Sequence, residues 1–396
     1  MVHPDRKKAK RYDNPGRCRA FTDAVYSGES DTADNLLKIL DGCNHQFDPS
    51  ESEYVPLIGE LHGHSNFSDG IIDPDEYYRR LKEDVKLDFA ALTDHDHGGV
   101  GKPELWVGSP SKWDRIKALA KKYYEPGKFT TVLAYERDSY PFYNNMILYF
   151  GSHDAEMVRG VRDGEITEDE LSALLKRDDV TEAPHDTYYL SSAADLSYMP
   201  LELMTPLMEI ISRGDAAEYM GNPAFDEAYC CEGGFFQDAL RRGAEMGVIG
   251  GSDDHRGEGG IIITDREYPF NFPGLTGVWA KDNTLESVFE ALKAKRTYAF
   301  MGGKVTIDFR INGHYMGEKI SRGRDGDLHI WFSVSADAPV KQVTLVKNCR
   351  NYMIFNKVKS NLAIDYHQET EKDSYYLRVE LDGGRFGWTS PIWVTE

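Results

Sequence analysis

Cysteine is scarce and scattered in this sequence. The five cysteines (Cys18, Cys43, Cys230, Cys231 and Cys349) are odd in number and form no CxxC pair, which argues against a thiolate-zinc site and a dense disulfide framework. A reduced cytoplasm is therefore the expected location. No hydrophobic window approaches a membrane span, and the charged stretch from Met1 to Lys8 leads into no apolar run, so no secretory signal is expected. Basic residues are in deficit. The 46 Lys and Arg against 66 Asp and Glu leave a formal charge of -20, which argues against polymeric DNA or RNA as a partner, because such affinity comes from cations neutralising phosphates. Also missing are a GxSxG elbow, a P-loop and a GxGxxG turn, so nothing points to a serine nucleophile, a nucleoside triphosphate or a dinucleotide. There is no internal repeat and no low-complexity tract.

What is present is enough apolar material for a large core. The chain has 396 residues, 40% hydrophobic and 12% aromatic, which suits two domains. Residues 1–52 are polar and weakly patterned, with a candidate helix near Thr32–Leu40, and read as an N-terminal extension. Over residues 53–301, short apolar runs (Leu57–Leu61, Phe89–Leu92, Thr131–Ala134, Met146–Phe150, Leu207–Ile211, Val248–Gly251, Thr276–Ala280) alternate with amphipathic stretches (Asp75–Glu83, Trp113–Tyr124, Glu168–Lys176, Phe235–Met246, Thr284–Lys295). Such alternation predicts a mainly parallel sheet or barrel with helices outside. Over residues 302–396 the period becomes two, punctuated by Asn312-Gly313, Asp325-Gly326 and Asp382-Gly383. That pattern predicts a small antiparallel β-sandwich.

The ionisable residues gather where the apolar runs stop. His62 and His64 follow the first run, and residues two apart on a strand share a side, so they can hold one ion together. Asp69 lies on the next turn. After Leu92 comes Thr93-Asp94-His95-Asp96-His97, in which His95 is a ligand candidate, Asp94 can orient a histidine, and His97 faces solvent or substrate. Glu136 ends the third run and can bridge two cations, since a carboxylate has two oxygens. Pro184-His185 and Asp253-x-His255 follow later runs, with Gly250 and Gly251 allowing close backbone approach. Alone, each reads equally well as a surface histidine or an exposed cap. Together they supply five imidazoles and three carboxylates without a thiolate, a donor set suited to Zn, Mn or Fe and more than one ion needs. Two or three ions are expected, with a metal-bound hydroxide as nucleophile. No general acid can be named.

In this order the motifs resemble the polymerase and histidinol phosphatase (PHP) superfamily: His62-x-His64, Asp69, Thr93-Asp94-His95, Glu136, Pro184-His185 and Asp253-x-His255. The resemblance spans roughly Leu57 to Met301. It implies a distorted (β/α)7 barrel and a di- or trinuclear phosphoesterase centre. His62, His64, Glu136 and Asp253 would hold one ion, Glu136 with His185 a second, and Asp69, His95 and His255 a third. The stretch Thr276–Ser287, then Lys295–Ala299, and the β module with Asn312-Gly313-His314 are similar to a branch of that superfamily with unknown function. Two positions depart from the pattern. Asn145 stands where many relatives place a histidine ligand, and Glu60 where relatives of the branch have Asp.

For a substrate phosphate, Arg137, Arg213 and Arg256 are the nearby guanidinium forks, although each also suits a surface salt bridge. Glu209, within its strand, is a ligand or lies behind one. Tyr188, Tyr189 and Trp279 line a pocket or simply pack. The expected activity is hydrolysis of a phosphate mono- or diester of a small molecule. A metal-dependent hydrolase of a non-phosphate ester or amide, and a binding scaffold with an idle site, are the alternatives. The β module binds a partner, forms a homo-oligomer contact or covers the mouth of the site; the sequence leaves these open.

Overall fold

The computed structural model describes residues 39–40, 52–96, 110–138, 143, 145–158, 167–189, 194–212, 215–224, 230–260, 272–322, 328–364 and 372–395. The expected alternation is present over the first of the two regions. In chain order it runs β1 (Val55–Glu60), α1 (Pro74–Arg79), β2 (Phe89–Leu92), α2 (Pro110–Tyr123), β3 (Thr130–Asp138), β4 (Asn145–Phe150), α3 (Glu168–Leu174), β5 (Val180–Pro184), β6 (Leu207–Ser212), α4 (Phe236–Arg241), β7 (Gly247–Gly250), β8 (Gly274–Ala280), α5 (Leu285–Lys293) and β9 (Thr297–Met301). Helix starts follow local chemistry. Thr167 accepts from Glu170 N while the Glu170 carboxylate accepts from Thr167 N at 2.8 Å, closing a capping box on α3. Asp73 caps α1, with Pro74 at its first position.

The sheet is mixed, which corrects the expectation of a mainly parallel one. Strands β1, β2 and β3 pair in parallel, as do β6 and β7. However, β4 runs antiparallel between β3 and β5, and β8 runs antiparallel to β1. A closed (β/α)7 ladder is not what the described strands form, because the hydrogen bonding breaks between β5 and β6 and between β7 and β8. Hydroxyls bridge the second gap. Thr276 Oγ1 accepts from Gly250 N at 2.9 Å and donates to Gly250 O at 2.6 Å, Thr297 Oγ1 donates to Val248 O, and Ser390 Oγ accepts from Val248 N.

Alternation along the strands sorts residues onto two faces. One set, including Leu57, Leu61, Phe89, Ala91, Val132, Ala134, Ile147, Ala183 and Val278, packs into one cluster with Leu285, Val288, Ala291 and Leu292 of α5. Helix α5 follows β8, whose last residue Ala280 lies opposite Val55 at the start of β1. It therefore covers the end of the sheet away from Glu60. The other face packs against the remaining helices in a larger core.

The C-terminal region is the expected antiparallel β structure: β10 (Val305–Ile311), β11 (Leu328–Ala336), β12 (Val340–Lys347), β13 (Arg350–Phe355), β14 (Lys359–Ile364), β15 (Lys372–Leu381), β16 (Arg385–Thr389) and β17 (Ile392–Thr395). One layer has the order β10-β11-β14. The other, built on β15 with β12, β16 and β17, joins β9 through β16. The large sheet thus continues across residue 302. A buried ion pair marks the same seam: Arg378 donates to Glu218 from Nε and Nη2 at 2.6 Å each, Trp388 Nε1 donates at 2.8 Å, and the Tyr376 hydroxyl adds a fourth donor. Of the helix expected near Thr32–Leu40, residues 32–38 lie outside the described residues. Ile39–Leu40 form instead a short strand paired with β14.

Candidate metal centre

The cluster sits where β1, β2, β3, β5 and β7 end. Backbone bonds lace these ends together: His64 N donates to Asp254 O, Asp253 N to His62 O, Thr93 N to Gly63 O, and Asp96 N to Glu136 O. The Thr93 hydroxyl accepts from Gly63 N, so the threonine of the Thr-Asp-His run ties the first loop to the second. Gly251 is required by close approach, since a Cβ there would lie 2.3 Å from His62 Cβ and 2.9 Å from Glu209 Oε2.

Four buried donors converge in the middle. His62 Nε2 lies 3.2 Å from His64 Nε2, 3.3 Å from Glu136 Oε2 and 3.3 Å from Asp253 Oδ1; His64 Nε2 lies 3.2 Å from Glu136 Oε2 and 3.0 Å from Asp253 Oδ1. Ligand bonds of ~2.0–2.1 Å in a tetrahedron place donors about 3.3 Å apart, so these residues fit a first-row divalent cation. Beside them, His255 Nε2 and His95 Nε2 stand 3.3 Å and 3.5 Å from the two oxygens of Asp69, with His64 Nδ1 3.7 Å from the same carboxylate. The imidazoles of His95 and His255 stack on that of His64 at 4.6 Å and 4.3 Å. On the other flank His185 Nε2 meets Glu136 Oε1 at 2.6 Å. Glu136 therefore touches both sides, one oxygen to each.

Electrostatics reflects this crowding. Burial works against a proton on His62, but the carboxylates of Glu209 and Asp253 outweigh it and raise the imidazole to about 10. His185 is likewise held well above its ordinary value, burial being outweighed by Glu136 and Asp186. Glu136 and Asp69 lie well below theirs: burial is overcome by His95 and His185 for the first, and by bonds from His255 and His95 for the second. Asp253 holds a left-handed backbone (φ 49°), a strained state for a non-glycine residue and frequent at functional sites.

The surrounding residues divide into those that hold the cluster and those placed elsewhere. Glu209 stands behind His62, with Oε2 2.9 Å from Nδ1. That contact takes the Nδ1 proton and leaves Nε2 facing the other donors. Glu60 Oε1 accepts from both His62 N and Ser252 N, at 3.1 Å and 3.0 Å, and burial pushes this carboxyl up to about 8. No direct contact of Asp94 with a histidine is found among the described residues. Asp94 accepts from Ser65 N, Ser65 Oγ and Ser68 Oγ and so fastens the loop that carries Asp69. Asn145 opens β4 one step beyond the Met146–Pro184 pair, beside His185 along the ladder. Arg256 is exposed just past His255, its N–H donating to Asp254.

Strand geometry corrects the expected role of Arg137 and settles Trp279 as a packing residue. Arg137 alternates with Glu136 and is buried on the opposite face of β3, with Tyr135 and Leu133. Trp279 lies across the ladder from Pro56, at the far end of the sheet, and donates to Ile307 O. Tyr188 packs on Phe235, while Tyr189 is 41% exposed. His97 and Arg213 lie outside the described residues. Sequence reading missed Asp186, although it follows His185 directly; its backbone is also left-handed (φ 51°). An Asp adjoining a strand-end His was the available signal.

A profile described as a protein of unknown function (DUF3604) matches residues 254–324. An uncharacterized protein of Chlamydia pneumoniae is 24% identical over 363 residues, covering 85% of this chain and 57% of that protein. An uncharacterized protein of Chlamydia trachomatis is 28% identical over 174 residues, 39% of this chain and 28% of that protein. The chain thus spans just over half the length of the first relative and under a third of the second. Among solved structures, a two-domain protein from Bacteroides vulgatus containing a predicted PHP-like metal-dependent phosphoesterase matches with a TM-score of 0.46 and 16% identity, covering 86% of this chain and 96% of that one.

Proposed function

We propose that this chain hydrolyses a phosphate ester of a small molecule, mono- or diester, at a centre of two or three divalent cations (Mn, Zn or Fe). The observation that carries the reading is the convergence of His62, His64, Glu136 and Asp253 at donor separations of 3.0–3.3 Å, flanked by a second group around Asp69. In this reading those four residues hold one cation, Glu136 and His185 a second, and Asp69, His95 and His255 a third. Bound there, such cations supply Lewis acidity toward a phosphoryl oxygen and acidify a water.

The chain's own residues set the stage. Glu209 fixes the tautomer of His62. Glu60 locks the loops of His62 and Ser252 to one another. Asp94, through Ser65 and Ser68, holds Asp69 at the solvent side, where its carboxylate is 46% exposed and a substrate can arrive. Arg256 offers a bidentate fork to phosphate oxygens at that mouth. The described residues include no helix long and apolar enough to cross a membrane.

The test is to quantify bound Mn, Fe and Zn in wild type and Asp253→Ala purified without chelator, and to assay mono- and diester model substrates. Two or more ions per wild-type chain, with phosphate release abolished in the variant, is the expected result. A metal-loaded protein inert to both esters would favour the non-phosphate hydrolase. A protein that takes up no metal would remove the catalytic reading.

A further inference from the structure

The donor groups are unequally furnished. His62, His64, Glu136 and Asp253 form a complete set of four, as do His64, Asp69, His95 and His255. His185 belongs to two further groups, one with His62 and Glu209 and one with Asp186 and Asp253; in the latter, ligand atoms lie within 4.8 Å of one another. His185 is 2% exposed, and its Nδ1 is buried with no hydrogen-bond partner among the described residues. Asp186 Oδ2 lies 3.6 Å from that nitrogen, beyond hydrogen-bond reach. Glu209, by contrast, meets Nδ1 of His62 at 2.9 Å and is engaged in orienting that ring. Asp186 is thus near the imidazole without being bonded to it, and near a second carboxylate as well. A metal cation between the Asp186 and Asp253 carboxylates would offset their mutual repulsion. Both aspartates also hold left-handed backbones, φ 51° and φ 49°, strain that the surrounding structure sustains.

We propose that Asp186 is a direct ligand of the cation on the His185 flank, completing a shell that His185 and Asp253 begin. The proposal rests on the reading of this cluster as a metal centre.

The test compares wild type with Asp186→Asn and Asp186→Gly, each loaded with Zn²⁺ or Mn²⁺ and freed of excess metal. Glycine suits a positive φ, so Asp186→Gly should leave the metal-free melting temperature unchanged or higher, and a loss of metal cannot then be ascribed to misfolding. Both variants should carry one ion fewer per chain than wild type, or bind the weakest ion at least tenfold less tightly. Anomalous diffraction from the Zn-loaded wild type should place an Asp186 oxygen at about 2.0–2.2 Å from an ion. Unchanged stoichiometry and affinity in both variants would overturn the proposal, as would an Asp186 carboxylate seen hydrogen-bonded to Nδ1 of a coordinated His185. A wild type that binds no ion would overturn the metal-centre reading itself, so the two failures are distinguishable.

Discussion

The seam at Glu218 and the cluster at His62 both bury ionisable side chains, but only the seam satisfies them from within. Each oxygen of Glu218 accepts two donors, from Arg378 and Tyr376 on one side and from Arg378 and Trp388 on the other. Charge and lone pairs are matched there without outside help. At the cluster, imidazole nitrogens face one another at 3.2 Å, Glu60 Oε2 and His185 Nδ1 are buried without hydrogen-bond partners among the described residues, and the carboxylates of Asp69, Glu136, Asp186, Glu209 and Asp253 crowd overlapping groups. A closed network holds the fold together, whereas the donors crowded at the cluster could hold a metal ion.

The largest expected effect breaks the seam. Arg378→Met strands Glu218 in a dry interior, and removing one partner of a buried pair costs about 3–5 kcal/mol. Chemical denaturation should show this loss, while the folded fraction keeps its full metal content. A lowered metal content in that fraction would mean the two regions are not independent.

Glu182 belongs to neither network and sharpens the contrast. It is buried on β5 with no hydrogen-bond partner for Oε1 among the described residues, and burial pushes its carboxyl up to about 8 from 4.5. A carboxyl raised on folding favours the protonated native state. Its contribution is therefore complete below about pH 4.5 and lost as pH rises through about 8. Glu182→Gln should flatten the decline of melting temperature across that window; an unchanged profile would show that another group governs it.

Glu209→Gln tests the cluster from behind. Loss of an orienting carboxylate typically weakens metal binding ~10–100-fold, and the same should hold here by competition titration. A further consequence concerns protons. With no cation, the carboxylates hold His62 protonated up to about 10, so loading must expel protons. Calorimetric enthalpies should depend on buffer ionisation, affinity should weaken as the pH is lowered, and Glu209→Gln should release fewer protons than wild type. Buffer-independent enthalpies would contradict the assigned electrostatics.

The residues that converge were legible because they interrupt apolar runs. His62, His95, Glu136, His185 and Asp253 each stand where a hydrophobic strand pattern stops, and a strand end is a fixed point in space. What was not legible depends on partners remote in sequence. Arg137 adjoins Glu136 and seemed equally placed, yet alternation turns it to the opposite face. Trp279 ends an apolar run too, but β8 runs against β1, so the run's end lies at the wrong end of the sheet. Strand direction is set by pairing, which composition does not reveal. The same limit hid the continuity of β9 with β16, because a change of period at Gly302-Gly303 marks a change of pattern and not a gap in the hydrogen bonding. Asp94 was read as orienting a histidine, and only the fold shows that two serines claim it.

The hydroxyls of Thr276, Thr297 and Ser390 hold β7, the strand that leads to Asp253, where a backbone ladder is missing. A threonine differs from a valine by little more than a hydroxyl exchanged for a methyl. The spacing between β7 and β8 is therefore set by hydroxyls, which single near-isosteric replacements can remove without altering a turn, a helix or any residue of the cluster.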